Sequence, residues 1–282
     1  MSATTVSQPK TIAMNRISPM LRLDFYRLFH TPLLYIMMAV AAVIPALVMT
    51  MSGASTTDAS GKVVEPTIVY TNAFQLIAPQ HPQYVISDFG DYANINMVYI
   101  FGGMLLAIFI GHDYMSGFVK NVFTVHSKKR DYVISKIAIG TFSMICMIGT
   151  YVLGSMVSGL LNGKSFSVSI VGLLLCLVAK VILALGFSSL FVMISVLFRR
   201  LLGISIVGSF FFGTGMLVMG AAAILASMGL ESLMGVFLYG AASGASLSST
   251  WITVIVSLAC SAAWALIYTQ LSTFILNHRD LA

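Results

Sequence analysis

Apolar and polar positions in this chain are sorted into long blocks. Six apolar runs stand near Leu33–Met51, Tyr92–Gly111, Ile137–Leu161, Ser169–Phe198, Leu201–Met228 and Thr250–Leu276. A helix needs roughly 20 apolar residues to cross about 30 Å of hydrocarbon, so six transmembrane helices are expected. The second run is the weakest, since its strictly apolar part extends only from Met97 to Ile110. Runs four and five are the longest and would tilt or protrude.

Between the runs the pattern changes period. Met1–Ser18 (residues 1–18) reads as a flexible N-terminal tail, and Pro19 to Pro32 brackets an amphipathic stretch. Leu21, Phe25, Leu28 and Phe29 share an arc of about 100°, with Arg22, Asp24, Arg27 and His30 on the rest of the wheel. This predicts an interfacial helix with aromatics in lipid and arginines near phosphates; the plainer alternative is a polar flank of the first span. Pro32 marks the turn into the membrane. After the second run, Phe118, Val119, Val122 and Phe123 share one side of a short helix and Lys120, Asn121 and Thr124 the other. A basic turn follows at Lys128, Lys129 and Arg130. The Ser52–Asp91 loop turns proline-punctuated after Glu65, leaving Ile68, Val69, Tyr70, Phe74 and Leu76 to pack over the span ends. Gly229–Ser249 is rich in small residues, an aqueous loop or a re-entrant element between the last two spans.

Composition agrees with this layout. The chain is 58% hydrophobic and 9% charged, where soluble domains carry about 25% charged residues. The fold class is therefore an all-α membrane protein, with one membrane domain over residues 19–282. Twelve of the 15 Lys and Arg residues fall on one side of the six-span drawing, two (Lys62, Lys164) on the other, and Lys180 within a span. The positive-inside bias makes that side cytoplasmic, with both termini there and the cytoplasmic (plasma) membrane as location. The net charge of +6 is then a topology signal, and no nucleic acid partner is implied. Cys146, Cys176 and Cys260 all lie in runs, which implies no disulfide framework.

Candidate chemistry is sparse. The five histidines are scattered, so no metal site is expected, and no hydrolase or protease motif occurs. Gly159-Leu-Leu-Asn-Gly163-Lys164-Ser165 is one residue short of a phosphate-binding loop, so the chain has no catalytic residues and no nucleotide site of its own. Lys180 is the one charge deep in a run; a centred lysine costs about 2.5–3.5 kcal/mol on insertion scales. It reads either as a pathway or partner residue or as a snorkelling side chain. With no acid inside the runs, a proton relay is disfavoured. Ser205, Ser209 and Gly213 recur every four residues beside Phe210, Phe211 and Phe212. They form a pathway or dimer face, or an ordinary packing face.

The stretch from His112 to Lys136 holds seven of the 24 charged residues (15 basic plus nine acidic) between two uncharged walls. Its pattern is Asp113-x-x-x-Gly117-x-x-Lys120, then Arg130-x-Tyr132-x-x-x-Lys136. Following span two, with an amphipathic helix before span one, this resembles the permease subunits of type-2 ABC exporters. The resemblance implies a cytoplasmic coupling helix, here Asp113, Gly117, Phe118, Lys120, Val122, Lys128, Lys129 and Arg130, seated in a groove of a separate ATPase subunit. It also implies a second permease, as homo- or heterodimer, with spans two and five lining the path between them. ATP and Mg would sit on the ATPase partner, and the cargo would be lipophilic or amphipathic (drug, peptide or lipid). The rival readings are an ATP-independent channel or carrier, and a non-transporting membrane anchor or immunity protein.

Overall fold

The computed structural model describes residues 14–51, 56–57, 63–64, 70–79, 94–125, 128–199, 201–216, 224–225, 228–229 and 231–278. Its helices are α1 (Met14–Phe29), α2 (Pro32–Met51), α3 (Met97–Met115), α4 (Phe118–Val125), α5 (Lys129–Leu161), α6 (Ile170–Leu197), α7 (Leu202–Gly213), α8 (Leu238–Gly244) and α9 (Trp251–His278). A 3-10 turn spans Glu231–Val236, and Thr56–Thr57 pairs antiparallel with Val63–Val64. Among the described residues, five helices (α2, α3, α5, α6 and α9) are long and apolar enough to cross a bilayer, as in a multi-pass, predominantly helical membrane protein.

The first, third, fourth and sixth expected runs each become one long helix. The fifth does not. α7 is only 12 residues long and stops at Gly213; Gly215 then takes φ +70, a left-handed conformation that ends a helix. A side chain at Gly215 would also strike the Tyr239 ring. The N-terminal tail is shorter than expected, because α1 already begins at Met14; residues 1–13 lie outside the described set, as do Ile68 and Val69. α5 begins at Lys129, eight residues before the apolar run, and at about 1.5 Å per residue its 33 residues span roughly 50 Å. Its first two turns therefore extend past the hydrocarbon core.

α3 and α6 form the centre, and α2 with α9 present mostly exposed surfaces for lipid. Small residues set the closest approaches: a side chain at Gly154 of α5 would strike the Ala42 carbonyl of α2, and one at Gly103 of α3 would press the Phe191 ring. Rings fill the space between α3 and α6, with Tyr99 stacked on Phe187 at 4.1 Å. The phosphate-loop lookalike is a helix stop. Gly163 adopts φ +61, and the Lys164 amide donates back to Gly159, satisfying the last carbonyls of α5.

Both ends of the described chain lie at one end of the bundle. There α1 packs on α5, and Lys129 Nζ donates to the Leu276 carbonyl in the last turn of α9 at 2.5 Å. At the opposite end, residues 70–79 fold across the helix tops. Ala73, Leu76, Ile77 and Ala78 are almost fully buried there. Ser155 of α5 donates to the Ala73 carbonyl, and the Ile95 amide donates to that of Leu76. The expected packing of Phe74 and Leu76 over the span ends is thus realised.

Candidate functional site

Four helices converge at the charged end, each contributing one stripe. α5 presents Tyr132, Ser135 and Lys136, which fall together because residues three and four apart share a helix face. α3 ends with Phe109 and Asp113, also four apart. An acid in the last turn of a helix faces the negative end of its own dipole, so Asp113 requires cations. It receives two: Lys136 Nζ stands 2.7 Å from Oδ2, and Arg27 Nη2 donates to Oδ1 at 2.6 Å. Lys136 also donates to Asp24 Oδ1 at 2.7 Å, while Ser135 Oγ donates to Asp24 Oδ2 at 2.6 Å. The Tyr132 hydroxyl completes Asp113 at 3.3 Å.

The result is a closed knot of two carboxylates and two cations. Asp24, Asp113, Tyr132, Ser135 and Lys136 are all fully buried. Aromatic faces wall it: Phe118, the first residue of α4, lies 4.3 Å from the Arg27 guanidinium, and Phe109 lies 4.6 Å from the Lys136 ammonium. Gly117, at φ +71 with open space around it, makes the turn that folds α4 back over the knot.

The short helix α4 forms as its pattern predicts, with Lys120, Asn121 and Thr124 exposed. Its apolar stripe, however, is occupied within the chain. Val119 is buried, Val122 and Phe123 pack against the same core cluster, and Phe123 meets Tyr132 edge-on at 5.5 Å. Lys128 and Arg130 stay exposed, but Lys129 is engaged by α9. The surface free for a partner is therefore polar and basic.

The sequence pattern placed Asp24 and Arg27 among lipid headgroups; the structure turns both inward instead. The apolar arc of α1 also faces protein, with Leu28 buried and Phe25 against the Phe142 ring at 5.1 Å. α1 exposes the large side chains of Leu23 and Tyr26, and Phe29 of the arc also stays partly at the surface. One signal was available: Asp24 is the sole acid before Asp58, in a cation-rich flank.

The remaining candidates lie elsewhere. Ser205, Ser209 and Gly213 are buried inside the chain: Ser205 Oγ donates to Ser195 Oγ of α6 at 3.3 Å, and Gly213 sits against the Ile100 backbone of α3. The small face of α7 is thus a packing face, leaving Phe210, Phe211 and Phe212 exposed. Lys180 does not snorkel. It is 2% exposed, and its ammonium donates to Asn96 Oδ1 at 2.8 Å and to the Ala242 carbonyl at 3.0 Å. Within the small-residue segment α8 is packed, with Leu238, Tyr239, Ala241 and Ala242 buried, as a re-entrant element would be. Trp264 lies mid-helix, its indole donating to the Val236 carbonyl at 2.8 Å. Comparison with protein-family models gives no match, and comparison with curated proteins gives none.

Proposed function

We propose that this chain is the permease subunit of a type-2 ABC exporter, with its charged end in the cytoplasm beneath the membrane and separate ATPase subunits docked there. The observation that carries this reading is the knot. The motif residues Asp113, Tyr132 and Lys136, separated in sequence, close with α1 into one buried ionic junction directly under Phe118. A push on α4 is delivered through Phe118 to Arg27 and Lys136, and so to α1, α3 and α5 together. Buried ion pairs resist partial separation, because removing one partner strands the other in low dielectric. A loop that only set topology would have no need of such a junction.

Six crossings belong to the same proposal. α7 starts at the charged end, where Leu202 meets Gly111, and the Leu247 amide donates to Pro79 at the opposite end. A crossing between these two ends, beginning with α7 and ending with α8, is the sixth span of the proposal. In operation, ATP bound between the partner subunits would draw the paired α4 helices together and tilt the spans toward the far side. The exposed rings of Phe210, Phe211 and Phe212 offer an apolar face for a second permease or for a lipophilic cargo.

The test is purification from the source cell in mild detergent. A stoichiometric ATP-binding chain is expected, and it should be lost when the exposed Lys120, Lys128 and Arg130 are changed together to Glu. Lys129 is left intact because it holds α9. Absence of such a chain, with transport by the reconstituted protein alone, would overturn the reading.

A further inference from the structure

The end opposite the knot is closed by segments that come from three distant parts of the chain. Residues 70–79 lie across it, the start of α3 rises into it, and α8 with the hairpin-like chain after it reaches Pro79 through the Leu247 amide. The seams between them are small and apolar: Ala78, Cys176, Ala179 and Ala245 form one cluster of short side chains. Cys176 lies under the lid, fully buried, with its thiol 4.0 Å from the Ile77 carbonyl. As the seventh residue of α6, it stands only about 9 Å below that helix's end.

One side chain ties these segments together. Lys180, a turn below Cys176, reaches Asn96 at the start of α3 and the Ala242 carbonyl of α8. Its own carbonyl accepts from the Tyr99 hydroxyl at 2.8 Å. A lysine has three donors, and among the described residues two acceptors meet them, both neutral. The closed state thus keeps a charge out of water with incomplete compensation, which favours opening, while the apolar seam and these hydrogen bonds favour closure. Opposed terms of this kind make an element with two positions.

We propose that this end is a gate and that Lys180 is its positioning residue, holding α8 and the start of α3 shut over Cys176. The purpose of such a gate rests on the permease reading; its opening does not, and the test reads opening without ATPase or cargo. Full-length protein with Cys146→Ala and Cys260→Ala is purified in detergent, where both faces are open, and treated with a charged methanethiosulfonate. Modification is followed at the Cys176 peptide by mass spectrometry.

Asn96→Leu removes a charge-assisted acceptor, so Cys176 should react about tenfold faster or more. Asn96→Asp supplies a near-isosteric carboxylate to the same ammonium, so the reaction should slow at least about threefold. A residue that merely fills space would not move the two rates in opposite directions. A second arm does not depend on Asn96. The Leu247 amide meets the Pro79 carbonyl at 2.8 Å, bringing the two backbones close enough for a disulfide. Oxidised Pro79→Cys/Leu247→Cys should protect Cys176, and reduction should restore its rate. Equal rates in folded Asn96→Leu and Asn96→Asp proteins would overturn the proposal. So would equal rates in the oxidised and reduced crosslink variant.

Discussion

The two ends of this bundle bury cations by opposite means. At the charged end, Arg27 and Lys136 meet Asp24 and Asp113, so each of these four charges has a counter-charge within hydrogen-bonding reach. At the far end, Lys180 meets an amide oxygen and a peptide carbonyl, and no described residue sets a counter-charge against it. A neutral knot of ion pairs is rigid, because each displacement exposes two charges at once. A lone ammonium on neutral acceptors is held more weakly and gains from contact with water. On the proposed permease reading, this division puts transmission where the charges are paired and movement where they are not.

That comparison is most directly broken by deleting one charge at each end. Lys136→Met would leave Asp24 without its ammonium and Asp113 with Arg27 alone. The expected loss is about 3–5 kcal/mol, read as a large fall in thermal unfolding temperature or as failure to accumulate. Lys180→Met strands only neutral acceptors, so its loss should be about 1–3 kcal/mol. If Lys180→Met proves the costlier change, the far end is the rigid one and the assignment of roles fails. The knot can be tested further for unity. Asp24→Asn combined with Lys136→Met leaves Arg27 and Asp113 as a neutral pair. The double variant should therefore be more stable than the summed single losses, by about 0.5–3 kcal/mol in a thermodynamic cycle.

Legibility in the sequence followed the same division. Helices that answer to lipid alone were readable, because a long apolar run has few other solutions in a bilayer: α2, α6 and α9 match their runs closely, while α5 starts eight residues early. α4 was readable as a wheel, but what its apolar side touches was not, since Val119 and Phe123 are covered by parts of the same chain. Asp24 and Arg27 looked like a surface pair because i, i+3 opposite charges on a polar flank usually are. Their inward turn depends on Asp113 and Lys136, 86 and 112 positions away, respectively. The break in the fifth run hid behind Gly215, one of 23 glycines and not distinguishable by residue type from those that only pack. Lys180 stood out as an anomaly, yet its acceptors did not: one is a peptide carbonyl, which any residue supplies.

A smaller expected effect concerns the turn between the two elements of the proposed lever. Gly117→Ala meets no steric obstacle, but an L side chain at φ +71 is disfavoured by roughly 1–2 kcal/mol. Stability should fall by that amount. If α4 transmits force through this turn, retention of an ATP-binding partner should fall with it, even though no surface charge has changed. Stability loss with full partner retention would separate the turn from docking.

The finest comparison removes one hydroxyl from each end. Tyr99→Phe takes away the donor to the Lys180 carbonyl, a short bond at 2.8 Å in a fully buried site. Tyr132→Phe takes away the donor to Asp113 at 3.3 Å. Hydrogen bonds within membrane bundles average about 0.6 kcal/mol, so both effects should be modest. Tyr132→Phe should be the smaller. Asp113 keeps Arg27 and Lys136, and the ring keeps its contacts with Phe123 and the Lys136 ammonium. Tyr99→Phe should cost more in stability, because its bond is the shorter of the two and its acceptor has no ion pair to share the loss. It should also quicken modification of Cys176, whereas Tyr132→Phe should leave that rate unchanged. If the two substitutions move the Cys176 rate equally, the ends are not the separate devices that their charge patterns describe.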